Sequence, residues 1–451
     1  MEYIFKHALT QEVAYNSVLQ ERRKAWHEQT AKAIEALFQN RLADHYSELA
    51  HHYSRSGNAQ KAVEYLHLAG QQAGQRSANA EAITHLTTAL ELLKTLPDTL
   101  ERAQQELTLQ IALGPALITA KGWAAPEVER AYSRARALCQ QVGETPQLFP
   151  VLWGLWAFYL VREEFWKAHE LGEQLFALAR NVQDPALFLE AHLGLGYNLY
   201  FLGEFISAQE HLEQGFAFYD PQQHSSLAFL YGGTDPGMNC LSLGAYALWM
   251  LGYPDQALKR SHEALALAQE LSHPFSLAHA LCTAADLHQV RREARAAQER
   301  AEVAITLSTE QGFPFWLERG IITRGWALSE QGQGEEGIAQ VRQGLAAYRA
   351  TGAELLRSSH LALLAEVYGR IGQTEEGLSV LAEALAAVHK TGERYYEAEL
   401  YRLKGELSLK SRQVKTSQDK SEVRSQRLKN IFTRPSTLLA GRVRSRWSCG
   451  R

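Results

Sequence analysis

Several features that mark other classes of protein are missing from this chain of 451 residues. Runs of β-branched residues bounded by turns are absent and prolines number only twelve, which argues against a strand-rich domain and favours helices. The four cysteines have no C-x-x-C spacing, and the one close pairing, His279 with Cys282, supplies only two potential metal ligands. The sequence therefore predicts neither a disulfide framework nor a zinc site.

Two further absences concern location and catalysis. No apolar run approaches about 18 residues and no signal-peptide pattern is present, so we expect a cytoplasmic protein that does not enter a membrane. G-x-x-x-x-G-K-[ST], H-E-x-x-H, G-x-S-x-G and EF-hand patterns are also missing. We predict that the chain has no enzymatic activity, no cofactor and no metal site.

The single G-x-G-x-x-G string runs from Gly332 to Gly337. It follows no predicted strand, and its two carboxylates, Glu335 and Glu336, would repel a pyrophosphate. We interpret it as a turn between two helices of one repeat rather than as a phosphate site.

A repeat of about 40 residues is the strongest pattern in the chain. Each repeat has a small residue in an equivalent position, preceded five residues earlier by a turn residue. The small residues are Ala168, Ala208, Ala257, Ala297, Gly337 and Gly377, and the turn residues are Glu163, Gly203, Gly252, Arg292, Gly332 and Gly372. Since small residues let helix axes approach closely, each repeat is predicted to be two antiparallel helices joined by a short turn.

This spacing is similar to that of the tetratricopeptide repeat, whose usual period is about 34 residues. The predicted fold is all-α: a right-handed superhelical solenoid of tetratricopeptide-like hairpins, in which each hairpin buries its apolar face by stacking on the next. We expect irregular helical hairpins over residues 41–145 and the regular array over residues 146–408.

One interval, from Gly203 to Gly252, is nine residues longer than the others. The extra residues fall in a turn-rich stretch, Tyr231–Met238, which we interpret as a loop. Two interpretations stay open for this loop: a binding loop, or a tolerated insertion on the surface.

The end of the chain is strongly basic, although the formal charge of the whole is −4. Residues 410–451 hold twelve Lys or Arg against Asp419 and Glu422, a composition typical of nucleic-acid or anionic-membrane binding. The repeat pattern, however, stops after residues 397–407 without a second helix. Codons for residues 428–451 can be chosen so that the neighbouring reading frame spells an amphipathic repeat helix. We therefore predict that 409–451 is a linker and a basic, disordered tail produced by a frameshift, and expect no nucleic-acid or membrane binding.

The first residues resemble a known family. Phe5, His7, Leu9, Tyr15, Leu19, Arg23 and His27 resemble the closing segment of the winged-helix region that follows the ATPase core in bacterial signal-transduction ATPases with numerous domains. Residues 1–40 are then the remnant of winged-helix and linker helices after a missing NTPase domain, and the chain is an N-terminally truncated fragment.

The resemblance continues through Tyr46–Ala50, Gly122–Pro126 and Leu251–Leu258, which look like the repeat region of members that fuse an adenylyl cyclase to the ATPase. It implies an interaction or effector-sensing module, with an NTPase, cyclase or kinase domain upstream in full-length relatives. Names such as adenylate cyclase or ATP-binding transcriptional regulator would describe catalytic domains that are not in this sequence.

The first helices of successive hairpins line the concave face of such solenoids, and this face is the predicted site for a protein, a peptide or a small effector. Its charged residues and its stripe of aromatic rings, which we expect at solvent-facing positions, suit recognition, although aromatic residues at helical spacing also serve packing between repeats. The candidates are Glu190, Tyr197, Tyr200, Tyr246, Trp249, His279, Asp286, Gln289, Arg319, Trp326, Glu330, Glu366 and Arg370.

Overall fold

A computed structural model describes residues 8–143 and 146–433, and every regular element in these residues is helical. Between α2 and α3 lies a 3-10 segment, Gln39–His45. The first half of the chain forms α1 (Ala8–Ser17), α2 (Gln20–Leu37), α3 (Tyr46–Ser56), α4 (Ala59–Gln75), α5 (Asn79–Leu93), α6 (Leu100–Lys121), α7 (Pro126–Val142), α8 (Leu148–Val161), α9 (Phe165–Val182), α10 (Pro185–Phe201) and α11 (Phe205–Ala217).

The second half continues the same alternation after two single-turn helices. It forms α12 (Pro221–His224), α13 (Leu227–Leu230), α14 (Pro236–Met250), α15 (Pro254–Glu270), α16 (Pro274–Val290), α17 (Ala294–Gln311), α18 (Pro314–Glu330), α19 (Gly334–Ala350), α20 (Arg357–Arg370), α21 (Thr374–Thr391) and α22 (Glu397–Thr433). Among the described residues, no helix has the length and apolar composition needed to cross a membrane.

Proline marks where many of these helices begin. The fixed φ of proline suits the first helical turn, where its missing N–H would have no partner anyway. Seven of the twelve prolines in the sequence occupy the first helical position, namely Pro126, Pro185, Pro221, Pro236, Pro254, Pro274 and Pro314.

The predicted hairpin array is confirmed. The small alanines of the repeat, Ala168, Ala208, Ala257 and Ala297, are fully buried where the second helix of each hairpin meets the first. At Gly337 a Cβ atom would lie 2.6 Å from the carbonyl oxygen of Gly325, so only glycine allows that approach.

The predicted turn positions are also confirmed, since all of them adopt a left-handed backbone. Four are glycines with φ between +83° and +89°, for example +86° at Gly203. Glu163 and Arg292 take the same position with φ of 58° and 65°, a conformation that is costly for a residue with a side chain. The turn geometry is therefore retained even where glycine is not.

The extra segment before α14 does not lie on the surface, so its interpretation as a tolerated surface insertion is wrong, whereas a binding role for it stays a prediction. Tyr231 is 3% exposed and Asp235 is 1% exposed. A Cβ atom at Gly232 would lie 2.4 Å from the ring of Trp123. The segment folds inward because its two adjacent glycines, Gly232 and Gly233, both have positive φ and turn the chain towards the interior.

Helix α22 extends through residues that the sequence analysis assigned to a linker. The described helix runs to Thr433, and Ser411 donates a hydrogen bond from Oγ to Oε1 of Glu375 at 2.7 Å. Lys, Gln, Glu and Arg in this stretch have good helix propensity, so a polar segment can prolong a packed helix. Residues 434–451, and with them most of the predicted frameshifted tail, lie outside the described residues, as do residues 1–7.

Late hairpins contact early ones across the interior. Glu354 and Leu355 both donate backbone N–H groups to the carbonyl oxygen of Val161 at 3.0 Å, and Arg394 donates to that of Phe201 at 2.9 Å. We call residues 351–357 and 392–396, which include the connections before α20 and α22, the closing segments. They join the ends of α8 and α10 and so cover the inner surface of the solenoid.

Candidate functional site

The inner surface is built from the first helix of each hairpin: α8, α10, α14, α16, α18 and α20. These helices begin at equivalent places in the repeat, so side chains about 40 residues apart stand side by side on neighbouring helices. All thirteen predicted residues lie on these helices.

Six of the thirteen are buried instead of facing solvent, which corrects the expectation of a solvent-facing aromatic stripe. These are Glu190, Tyr200, His279, Gln289, Arg319 and Trp326. Another six, Tyr197, Tyr246, Trp249, Asp286, Glu330 and Glu366, are partly buried, and Arg370 is exposed. The closing segments are the physical cause: Tyr395 of the second one, for example, packs against Tyr200 with ring centroids 5.4 Å apart.

A hydrogen-bonded network around Arg319 joins three neighbouring inner helices. Arg319 donates from Nε to Oδ2 of Asp286 at 2.8 Å and from Nη2 to the hydroxyl of Tyr246 at 2.9 Å. Thr323 donates to Oδ1 of the same carboxylate at 2.6 Å. Because a buried ion pair is tolerated only when its remaining polar atoms are bonded, this network fixes the relative positions of α14, α16 and α18.

Two tryptophan–glutamate pairs link neighbouring inner helices, over 37 and 40 residues of sequence. Trp153 donates from Nε1 to Oε2 of Glu190 at 2.8 Å, and Trp326 donates to Oε2 of Glu366 at 3.2 Å. Complete burial raises the pKa of Glu190 well above its ordinary value, although the hydrogen bond from Trp153 acts in the opposite direction. Of these four residues only Trp153 was not among the predicted ones, and it lies 37 residues before Glu190 rather than at the repeat spacing of about 40.

A buried pair of carboxyl groups lies beneath the closing segments, and the sequence analysis did not select it. Glu163 is 5% exposed at the end of α8, and Glu393 is 0% exposed in the second closing segment. Burial, together with the charge of Glu393, raises the pKa of Glu163 to about 9. Burial raises the pKa of Glu393 to about 7, although the hydrogen bond that Ser358 Oγ donates at 2.5 Å lowers it. Local sequence spacing carries no signal for a pair so distant along the chain.

The accessible part of the inner surface is a charged rim at the ends of the inner helices, formed by Arg292, Glu330, Glu366, Arg370 and Glu399. Arg292 pairs with Glu366 and lies 3.6 Å from Glu399, and Arg370 pairs with Glu330. The side chains of Arg292 and Arg370 are each 41% exposed. Their partners Glu366 and Glu330 are only 13% and 15% exposed, so each pair joins a largely buried carboxylate to an arginine that reaches solvent.

Two small cavities remain inside the solenoid. The first, of about 70 Å³, is lined by residues of α8, α10, α14, α16 and α18. The second, of about 50 Å³, lies nearer the charged rim between Trp249, Asp286 and Tyr396. Leu356 of the first closing segment contributes to the walls of both, and its φ of 67° is the left-handed conformation that a leucine adopts only at a cost.

No group of three or more His, Cys, Asp or Glu side chains suited to a metal ion occurs in the part of the chain that the structure describes. The glycine-rich string from Gly332 to Gly337 forms the turn from α18 into α19, with Glu335 and Glu336 in the first turn of that helix.

No family model matches the chain. The uncharacterized protein R02095 of Rhizobium meliloti (strain 1021) is 27% identical over 408 residues, which is 89% of this chain but 39% of that protein. The chain therefore spans well under half the length of this relative.

Among solved structures, the Rap protein complexed with Competence and Sporulation Factor is similar, with a TM-score of 0.51 and 13% identity over 79% of this chain and 98% of Rap. A signal-transduction ATPase with a tetratricopeptide repeat sensor from Pyrococcus horikoshii gives a TM-score of 0.45 and 13% identity, over 89% of this chain and 57% of that one. The likeness to Rap shows that the two chains share a helical-repeat fold.

Proposed function

We propose that this chain is a non-enzymatic interaction or effector-sensing module, in which occupancy of the inner surface changes the closure of the solenoid. One observation carries the proposal: backbone hydrogen bonds join the closing segments to Val161 and Phe201, across the surface where a ligand would lie. A ligand can shift an equilibrium between two shapes only if it contacts them differently. In this proposal the two shapes are a closed one, in which the contacts between distant repeats are made, and an opened one, in which they are broken.

The charged rim is the proposed point of first contact for a protein or peptide. Arg292 and Arg370 are its exposed cations. Trp249 is partly buried on the wall of the second cavity. Arginine and tryptophan are enriched among the residues that dominate binding energy at interfaces. Tyr200, by contrast, is 2% exposed and is not available as an anchor unless the closing segments move.

We further propose that the chain corresponds to the repeat region of a bacterial signal-transduction ATPase, of the kind fused to an adenylyl cyclase, and acts in the cytoplasm. The resemblance of residues 3–409 to that group supports this, as does the greater length of the relative from Rhizobium meliloti. An upstream NTPase, cyclase or kinase domain would then receive the change in shape. The Rap structure, which shares the fold, contains Competence and Sporulation Factor, and we propose that the inner surface of this chain also receives a ligand.

A ligand screen with inner-surface variants tests this function. Random peptides and a metabolite library are screened against the full chain, and each ligand found is titrated against Arg370→Glu. Reversal of a rim charge should weaken a ligand of the rim by about tenfold, or about 1.4 kcal/mol. Arg295→Glu is the matched control, because Arg295 is 90% exposed and pairs with Glu299 on its own helix. An equal loss of affinity in both variants, or no loss of affinity in Arg370→Glu for any ligand, contradicts the assignment of the rim as the point of first contact.

A further inference from the structure

The first interior cavity has polar atoms in its walls that no part of the chain satisfies. Trp156 Nε1, Trp316 Nε1 and His279 Nδ1 are buried without a hydrogen-bond partner, and all three residues line this cavity. A buried donor or acceptor without a partner costs about 1–3 kcal/mol, and native interiors contain few of them. Three on the walls of one cavity indicate an occupant that supplies the missing partners.

The chemistry of the walls selects an acceptor. An indole N–H and a guanidinium can only donate hydrogen bonds, and the cavity contains two such indoles together with Arg319. The Arg319 guanidinium lies 5.7 Å from the centre of the Trp316 ring, and the ring of His279 stacks on Trp316 with centroids 4.4 Å apart.

Other polar groups of the same wall are already paired. Tyr197 donates to Oδ1 of Asn239, and the amide of Asn239 donates to Thr234. Asp286, which pairs with Arg319, lies on the wall of the second cavity. The unsatisfied groups of the first cavity are therefore concentrated on the side of the two indoles and Arg319.

The size of the cavity limits the occupant. About 70 Å³ corresponds to roughly two water molecules at about 30 Å³ each, and apolar cavities that hold benzene measure about 150 Å³. The occupant is therefore of the size of acetate or propionate, and a peptide side chain longer than that does not fit while the solenoid stays closed.

We propose that this cavity is a binding site for a short-chain carboxylate, whose oxygens accept hydrogen bonds from Trp156 Nε1 and Trp316 Nε1 beside the positive charge of Arg319. The inference deepens the proposed sensing function by naming the effector class. Leu355 and Leu356 of the first closing segment form part of the same wall, so an occupant contacts the segment that closes the solenoid.

The experiment is a titration of the full chain, labelled with ¹⁵N at the indole nitrogens, with sodium propionate at constant ionic strength. Two indole N–H signals should shift saturably, and the spectra of Trp156→Phe and Trp316→Phe should identify them as those two residues. Each of these variants keeps a ring in place but removes one donor, so each should weaken propionate binding by about tenfold or more. Trp166→Phe is the control, since Trp166 is 66% exposed on α9, and should bind as the parent does.

Propionamide and propan-1-ol distinguish the chemistry, because they match the size of propionate without its charge. Tighter binding of propionate than of either supports the carboxylate. Equal affinity for the three compounds, or shifts of exposed indoles only, overturns the proposed carboxylate site. If no indole signal of the parent chain shifts saturably, the proposal is also overturned, and water alone fills the cavity. The parent titration decides this even if a variant fails to fold. If propionate does not bind but peptides still bind at the rim, only this inference is overturned. If propionate binds but no peptide binds at the rim, the proposed contact at the rim is overturned and this inference stands.

Discussion

Leu355 donates its backbone N–H to the carbonyl oxygen of Val161 at 3.0 Å, and this bond joins a late hairpin to an early one. In an open repeat array each repeat contacts only its neighbours, and stability is a sum of local terms. Here the closing segment before α20 rests on the end of α8, so the two regions of the array stabilise each other. The inner surface is consequently an interior with its own polar network and cavities.

Substitution of Ala257 by arginine should destabilise the array strongly. Ala257 is 0% exposed and packs with Ala245, Leu248 and Leu287 at the contact between α14, α15 and α16. A long charged side chain there overpacks the contact and buries a charge without a partner, at a cost of about 3 kcal/mol or more. The measurement is denaturant unfolding followed by circular dichroism.

Gln256→Arg is the matched control for that variant, because Gln256 precedes Ala257 on the same helix and is exposed. It should unfold within about 0.5 kcal/mol of the parent. Hydrogen exchange in Ala257→Arg should also increase over residues 240–300, and unchanged protection there would mean that the repeat contact has been misassigned.

The inward fold of the segment before α14 predicts different costs for two glycine substitutions. Gly232 and Gly252 both have positive φ, of 64° and 85°, so alanine is strained at either position, by about 1 kcal/mol. At Gly232 the new Cβ atom also meets the rings of Trp123 and Trp153, whereas at Gly252 nothing lies within 4 Å. Gly232→Ala should therefore cost about 1–3 kcal/mol more than Gly252→Ala. Equal unfolding free energies would place residues 231–235 on the surface.

The buried carboxyl pair predicts that stability falls as the pH rises. Burial holds the pKa of Glu163 at about 9 and that of Glu393 at about 7 in the folded chain, against 4.5 ordinarily. Above about pH 4.5 the unfolded chain therefore loses these protons first, and the folded chain binds more protons than the unfolded one. The free energy of unfolding then decreases with pH until the folded groups ionise as well.

Glu393→Gln removes one of these titrations and its repulsion of Glu163, while its side-chain oxygen can still accept from Ser358. Urea unfolding from about pH 5 to about pH 9 should show a shallower decline than in the parent. Glu354 and Arg357, which also act on Glu163, remain in place in this variant. Glu299→Gln, at a side chain 64% exposed, should keep the slope of the parent, and an unchanged slope in Glu393→Gln would contradict the buried-pair account.

The purified chain should neither hydrolyse ATP nor form cyclic AMP, because its sequence has no phosphate-binding loop and no cyclase domain. The measurements are phosphate release and cyclic AMP production across several purification steps. Turnover that follows the chain through these steps, above a heat-inactivated control, would contradict the proposal.

The repeat architecture was predictable from the sequence because its determinants are local. A small residue such as Ala168 must recur wherever two helices of one hairpin touch, and a left-handed turn must recur five residues before it. The start of α10 at Pro185 likewise follows from local chemistry, since Asp184 accepts a hydrogen bond from the N–H of Ala186 at 2.8 Å.

The closure of the array was not predictable in the same way. It depends on small rotations between successive hairpins, which add up over several repeats and leave no fixed spacing in the sequence. For this reason the sequence analysis placed Trp326 and Tyr200 correctly on the inner helices but wrongly in solvent, and it missed Glu163 and Glu393 as a pair. The buried segment at Tyr231–Asp235 was missed because polar and glycine-rich stretches usually form surface turns.

Hydrogen exchange with and without the tightest ligand of the screens tests the central claim most directly. If ligands bind inside and act on closure, protection should change at residues 351–357 and 392–396 and at the ends of α8 and α10, where Val161 and Phe201 accept their hydrogen bonds. The second helices α9, α11 and α15 should be unaffected on their outer faces. A bound ligand that alters exchange only on those outer faces, and leaves the closing segments unchanged, would contradict the account.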